Sequence, residues 1–295
     1  MILQRGPHGG VLKCPVKQRP QRPKPLQWKL DVTVTQRATA PHLIAKRPAN
    51  LLLAALAADD YELVRPLLTA QPLRMRETLQ EAGEPPEFVY FPTSGIISAL
   101  TVLENGMMIE FATVGREGTT AVPVFLNMGD SNMALVSQMP GDCLRMTTED
   151  FREQLLTNSS LATIMSRYSG VMLALVAQSA ACNRAHEAEA RCARWLLMTH
   201  DQSATDQFPI THEFLAQMLG VSRPSVSLAA TTLHTAGLIN YHRGELTIMD
   251  RAGLERASCE CYAVVHASFL RLQHLNDEDQ EPEEPTEPIV TRPAA

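Results

Sequence analysis

Residues 211–239 read THEFLAQMLGVSRPSVSLAATTLHTAGLI. Thr211 can cap a short helix that buries Leu215, Met218 and Leu219, and Ala216 is small enough to let a second helix cross closely. Gly220 can take the positive φ of a tight turn, Val221 plugs the corner, and Ser222 caps the next helix. Pro224 falls in that helix's first turn, where its missing N–H costs nothing, so the helix starts at Ser222 and is not kinked. Val226, Ala229, Ala230 and Leu233 then turn inward, which leaves Arg223, Ser225, Ser227 and Leu228 on or near the outward N-terminal face. This is the pattern of a helix-turn-helix, and that face is the end that enters a major groove of double-stranded DNA.

Downstream, Gly237-Leu-Ile-Asn-Tyr-His-Arg-Gly-Glu-Leu-Thr-Ile-Met gives a helix stop and two strands turning at Arg243-Gly244, a winged variant of the motif. His242 and Arg243 at the wing tip are placed to meet phosphates. The candidate DNA-binding set is Arg223, Ser225, Ser227, Ser222, Thr211, His212, His242 and Arg243. Within it, Arg223 is the expected reader of a guanine edge, because its fork matches O6 and N7. Charge cuts the other way: residues 183–262 hold seven Arg and no Lys against nine Asp/Glu, so the segment lacks an overall basic footprint. Few phosphate contacts are therefore expected, with affinity resting on two half-sites held by one dimer.

Upstream, Asn158–Ser160 opens a long helix in which Leu161, Met165, Tyr168, Met172, Leu175, Ser179 and Cys182 recur at steps of four and three. That stripe is expected to be the seam of a homodimer, with packing on the same chain as the other possibility. His186 and Glu187 follow as a hinge. Before the helix, LLLAALAADDYELVRPLL after Asn50 has helical spacing. Phe88–Phe91, Ile96–Val102, Ala134–Met139 and Cys143–Met146 read as short strands, with Asn105-Gly106 as a hairpin signal. TTED at 147–150 then caps a helix. The class is α+β: an antiparallel β-roll, a long dimerisation helix and a winged helix-turn-helix.

The ends differ in character. Residues 1–48 carry ten Lys/Arg against one Asp, residues 276–295 carry seven Asp/Glu against Arg292, and the two hold eleven of the 20 prolines. Such segments cannot bury enough apolar area to offset chain entropy, so both are expected to be disordered. The expected divisions are a basic arm at 1–48, a sensor roll at 49–157, a dimerisation helix at 158–182, a DNA-binding domain at 183–265 and an acidic tail at 276–295. At 295 residues, 45% hydrophobic and 20% charged, the composition is that of a globular chain of about two domains. The longest apolar runs, Leu51–Ala58 and Val171–Ala177, are far short of a membrane span, and MILQRGPHGG lacks the apolar core of a signal peptide. A cytoplasmic protein with reduced thiols, making no membrane contact, is expected.

The order of parts resembles the Crp/Fnr superfamily of bacterial transcription regulators over about residues 50–265. The resemblance is carried by LQEAGEPPEFVYFPTSG (79–95), ARCARWLL (190–197) and LAQMLGVSRPSVS (215–227). It implies a roll that senses a signal, a long helix that makes the homodimer and a helix that reads a palindromic operator, with RNA polymerase as a further partner. Arg223 matches the family's base-contacting arginine, whereas Pro224 and Leu228 stand where a Glu and a second Arg are customary. The effector pocket implied by the resemblance is Arg116, Glu117, Ser131 and Asn132 in GREGTTAVPVFLNMGDSNMAL (115–135). Glu117 fits the cyclic-nucleotide pattern, but Ser131-Asn132 replace the phosphate-holding Arg, so no tight cyclic AMP binding is expected.

No cofactor and no metal are expected. Cys14 alone cannot supply the family's N-terminal iron–sulfur cluster. Cys259-x-Cys261 with His266 offers thiol chemistry or metal binding, but one Cys-x-Cys lacks the four ligands of a structural zinc site. There is no phosphate-binding Gly-rich loop, nucleophile elbow or metalloprotease His pair, so an enzyme is not expected. Three readings stay open: a regulator with an unknown effector, a cysteine-based redox or metal sensor acting on DNA binding, and a constitutive DNA-binding or docking dimer with a degenerate roll.

Overall fold

The computed structural model describes residues 48–129, 133–203 and 205–278. The two expected disordered arms lie outside these residues, except for Pro48 and 276–278, and so do Ser131 and Asn132. The described residues open with α1 (Leu51–Ala54) and α2 (Ala58–Val64), continued by a 3₁₀ turn at Arg65–Leu67. Asn50 starts this segment: its Oδ1 accepts from Leu53 N–H at 3.1 Å, and its buried amide donates to the carbonyls of Pro92 and Gly118, both at 2.9 Å.

Among the described residues, seven strands make the roll: β1 (Thr69–Leu73), β2 (Thr78–Gln80), β3 (Phe88–Pro92), β4 (Ile96–Val102), β5 (Met108–Val114), β6 (Met133–Met139) and β7 (Gly141–Thr147). They form two antiparallel sheets, ordered β1-β7-β3 and β2-β6-β4-β5. The Asn105-Gly106 hairpin is present, with Val102 opposite Met108 and Gly106 at φ 79°. β1 and β2 were not legible, since TAQPL and TLQ contain little β-branched or alternating apolar signal. α3 (Val122–Phe125) lies between β5 and β6.

α4 (Thr148–Thr157) is capped by Thr147, and α5 (Ser159–Ala185) by Asn158, whose Oδ1 accepts from Leu161 N–H at 2.8 Å. α5 runs three residues beyond the expected end at Cys182 before His186 and Glu187 turn extended. Its periodic stripe faces inward, which corrects the expected dimer seam. Leu161, Met165, Tyr168, Met172 and Leu175 are buried in the core shared with the roll, while Ser179 and Cys182 are buried against later parts of the same chain. The roll offers an apolar wall to that stripe, and burying it there removes the most apolar area from water. The side of α5 left exposed is Thr163, Ser166, Gly170, Leu173, Ala177, Ala180 and Arg184, again at steps of three and four. α5 is the one helix among the described residues long and apolar enough to cross a membrane, and its apolar stripe is a core face.

The remaining elements are α6 (Ala188–Gln202), β8 (Gln207–Pro209), α7 (His212–Leu219), α8 (Arg223–Thr235), β9 (Ile239–His242), β10 (Glu245–Ile248), α9 (Arg251–Ala257) and α10 (Cys261–Glu278). The wing sheet has the order β8-β10-β9, one strand more than expected. α10 was missed: Val265, Phe269 and Leu272 return to the core of the roll and α5, and Arg167 Nη1 donates to the Leu275 carbonyl at 3.0 Å. The helix continues to Glu278, so residues 276–278 are helical and not part of a structureless tail. The described residues form one compact unit. Leu100 and Ala134 of the roll share a core with α6, α7 and α8.

Candidate nucleic-acid interface

The geometry of 211–239 follows from its caps. Thr211 Oγ1 accepts from Phe214 N–H at 3.2 Å, and Gly220 takes φ 61°, left-handed backbone that a side chain resists. Ser222 Oγ accepts from Ser225 N–H at 3.3 Å and starts α8 where expected, with Pro224 in the first turn. Val226, Ala229, Ala230 and Leu233 are buried, whereas Ser222, Arg223 and Pro224 are exposed and Leu228 is 71% exposed. The leading edge of α8 is therefore free of its own fold.

The other expected contacts divide. His242 and Arg243 are exposed at the wing tip, where Arg243 has φ 50° and Gly244 φ 85°. Ser225 and Ser227 are half-buried. Ser227 Oγ lies 3.0 Å from His212 Nδ1, and the His212 ring stacks on Tyr241 with centroids 4.5 Å apart. Burial and then the Arg223 guanidinium hold His212 below the ordinary histidine range, so it is neutral at pH 7. Thr211 also accepts from Arg76 Nη2 at 3.0 Å, and that guanidinium lies over the Phe214 ring. Thr211 is thus a cap tied to the roll, an attachment that no sequence signal at Arg76 announced.

The arginine balance resolves locally. Arg191 and Arg194 are buried; Arg191 Nη2 donates to the Leu219 carbonyl and, at 2.9 Å, to Asn183 Oδ1. Arg251 pairs with Asp201 at 2.6 Å and Glu255 at 2.9 Å, and Arg256 faces Asp250. Arg184 at the end of α5, Arg223 and Arg243 remain exposed, with no acidic partner among the described residues. Two of these three stand on the leading edge of α8 and at the wing tip.

A hydrogen-bonded chain joins the roll to α6. Ser98 Oγ lies 2.6 Å from Glu110 Oε2 and 2.9 Å from Gln138 Oε1; Gln138 Nε2 donates to Thr199 Oγ1 at 3.0 Å, and Trp195 Nε1 donates to Glu110 Oε1 at 2.7 Å. Enclosure of its carboxyl pushes the Glu110 pKa up to about 7, against the lowering effects of Ser98, Trp195 and Arg194. An acid at position 110 in the strand MIEFATV was the only sequence hint.

In the expected effector pocket, Arg116 is exposed and its carbonyl accepts from Leu51 N–H at 2.7 Å. Glu117 is buried: Oε1 accepts from Gly115 N–H at 3.1 Å, while Oε2 and the Tyr168 hydroxyl have no hydrogen-bond partner among the described residues. Burial, aided by Asp201, pushes the Glu117 pKa up to about 7. A Cβ on Gly118 would collide with the Tyr168 ring, so this turn is closed from below by α5. The adjoining cavity, bounded by Arg116, Glu117, Asp201, Tyr262 and His266, measures about 130 Å³. Small-molecule sites usually occupy ~300–1,000 Å³.

The cysteines group differently from the expected Cys259, Cys261 and His266. His266 is exposed and stacks on Tyr262 at 5.6 Å. The imidazole beside Cys259 and Cys261 is His186, and the third thiol is Cys182, taken from the expected seam.

A winged helix-turn-helix behind a double-sheet roll defines a class of transcription regulators. A family model described as a Crp-like helix-turn-helix domain matches residues 190–257, and one described as a cyclic nucleotide-binding domain matches 70–158. The chain belongs to the Crp/Fnr superfamily. Three similar solved structures share the fold. A protein from Eubacterium rectale described as a transcriptional regulator of the Crp/Fnr family is 17% identical, with TM-score 0.57, over 70% of this chain and 96% of that one. FixK2 from Bradyrhizobium japonicum is 18% identical, with TM-score 0.56, over 65% and 98%. The c-di-GMP-responsive regulator CLP from Xanthomonas campestris is 17% identical, with TM-score 0.52, over 65% and 99%. No curated protein matches the chain.

Proposed function

We propose that this protein is a cytoplasmic, homodimeric regulator of transcription that binds a specific DNA sequence and acts by binding, not catalysis. The observation that carries the reading is the free leading edge of α8, with Ser222, Arg223 and Pro224 exposed beside an exposed wing tip. Arg223 is assigned to a base edge, and His242 and Arg243 to phosphates. The dimer is assigned to the exposed stripe of α5 centred on Gly170, Leu173 and Ala177, where small side chains permit close helix approach. The roll is assigned no cyclic nucleotide, a reading supported by the small cavity beside Glu117. Its effector is a ligand of another kind, acting by shifting the balance of dimer states.

The test is selection of bound fragments from genomic DNA by the full-length protein. A twofold-symmetric sequence is expected, with Arg223→Ala weakening each half-site by ~1–3 kcal/mol, about 5- to 150-fold. Two exposed arginines on the α8 and wing face of each protomer also imply a shallow salt dependence. Absence of any enriched sequence, or an Arg223→Ala protein that protects the same sites equally well, would overturn the assignment.

A further inference from the structure

The C-terminal turn of α5 and the turn between α9 and α10 bring four metal-ligating side chains together. Cys182 and His186 stand four residues apart at the helix end, and Cys259 and Cys261 flank Glu260. One donor atom from each lies within 4.8 Å of all the others. Cys182 Sγ is 3.5 Å from Cys259 Sγ, and Cys261 Sγ is 3.5 Å from His186 Nδ1. With metal–sulfur bonds of ~2.3 Å and metal–nitrogen bonds of ~2.0–2.1 Å, a tetrahedral ion sets its donors roughly 3.5–3.8 Å apart. These two contacts match such edges, and the remaining pairs lie within 4.8 Å.

We propose that Cys182, His186, Cys259 and Cys261 form a mononuclear Cys₃His site for a borderline-soft divalent cation of the zinc class.

The surroundings support this assignment independently of the donor distances. His186 points Nδ1 at the thiols and Nε2 at the Glu260 carboxylate, 3.3 Å away, as a metal-bound histidine oriented by a carboxylate does. Gln178 Nε2 donates to Cys261 Sγ at 3.0 Å, a contact suited to a thiolate. Three thiolates around a dication leave one net negative charge, and the buried Arg194 guanidinium donates to Ser179 at 2.8 Å, one turn before Cys182. Cys143 and Cys192 show what an ordinary buried thiol looks like here, each packed inside a large apolar core, whereas the three clustered thiols form a small group of their own packed with Ala190. Four donors this close enclose one ion, not an iron–sulfur cluster, whose irons and sulfides hold the thiolates farther apart.

The placement gives the site a role. The helix-turn-helix match spans 190–257, and the four ligands lie just before and just after it. An ion here clips both ends of that segment to the end of α5, so loading fixes how α8 is carried relative to the long helix. The site itself stands whether or not the chain reads DNA.

The test uses the full chain, purified under reducing conditions, stripped with a chelator and reloaded with Zn²⁺ or Co²⁺ alone. One ion per chain is expected, with the ligand-field bands of tetrahedral cobalt, a thiolate charge-transfer band and a higher melting temperature when loaded. Cys182→Ser and His186→Ala should lose the stoichiometric ion, and His266→Ala should keep it. Cys259→His keeps four ligands, so tetrahedral binding should persist while the charge-transfer intensity falls by about one third. Folded, reduced protein that takes up no ion, an octahedral cobalt spectrum, or unchanged spectra in the Cys182 and His186 variants would each overturn the proposal.

Discussion

Replacing Glu110 by Gln should make the protein more stable at neutral and alkaline pH. The reason lies in counting protons. With Glu110 ionised, the single hydroxyl hydrogen of Ser98 faces two acceptors, Glu110 Oε2 and Gln138 Oε1. With Glu110 protonated, its O–H donates to Ser98, Ser98 donates to Gln138 Oε1, and Gln138 Nε2 donates to Thr199, so every group in the chain is satisfied. Burial pushes the pKa from 4.5 up to about 7. Between those values the folded chain keeps a proton that the unfolded chain releases, so stability present below about pH 4.5 is lost as pH rises through about 7. At 1.36 kcal/mol per pKa unit the loss is about 3 kcal/mol. Gln accepts from Trp195 through Oε1 and donates to Ser98 through Nε2, copying the protonated acid at every pH. Glu110→Gln should therefore match the parent near pH 4 and exceed it at pH 8 by up to ~3 kcal/mol, roughly 6–12 °C in melting temperature for a unit of this size. Glu117, also raised to about 7, leaves a second slope of the same sign in the variant. Denaturant unfolding at several pH values measures the difference. A variant less stable than the parent at pH 8, or a gap that does not grow between pH 4 and 8, would refute the reasoning.

Leu173→Glu should convert a dimer to a folded monomer by light scattering, since Leu173 is 72% exposed on the outer stripe of α5. Met165→Glu, at 1% exposure, should instead unfold the chain through an unpaired buried charge, as circular dichroism would show. Ser222→Ala removes the cap of α8 and should cost about 1 kcal/mol in chemical denaturation. Titration calorimetry with cyclic AMP should show no submicromolar binding; such binding would contradict the closed turn at Gly118 and Tyr168.

The helix-turn-helix was legible to the residue because its determinants are local. A capping hydroxyl bonds an amide three residues away, and a left-handed glycine answers to its own torsions, so Thr211, Gly220 and Ser222 needed no distant partner to be read. The same holds for the Asn105-Gly106 hairpin and the Arg243-Gly244 wing turn. α10 carried a readable stripe in Val265, Phe269 and Leu272, but it was obscured by the acidic stretch that follows.

Residue type and spacing by themselves determined the order of parts, the start of α8 and the exposed arginine in its first turn, since those depend on torsions and on contacts within one or two turns. Tertiary structure alone decided what each helix face meets. Period told that α5 has an apolar stripe, but only the position of the roll showed that this stripe is core and that the outer stripe is exposed. Likewise, 77 residues separate Cys182 from Cys259, and no local rule can report that α9 and α10 return to the end of α5 and set the two thiols side by side.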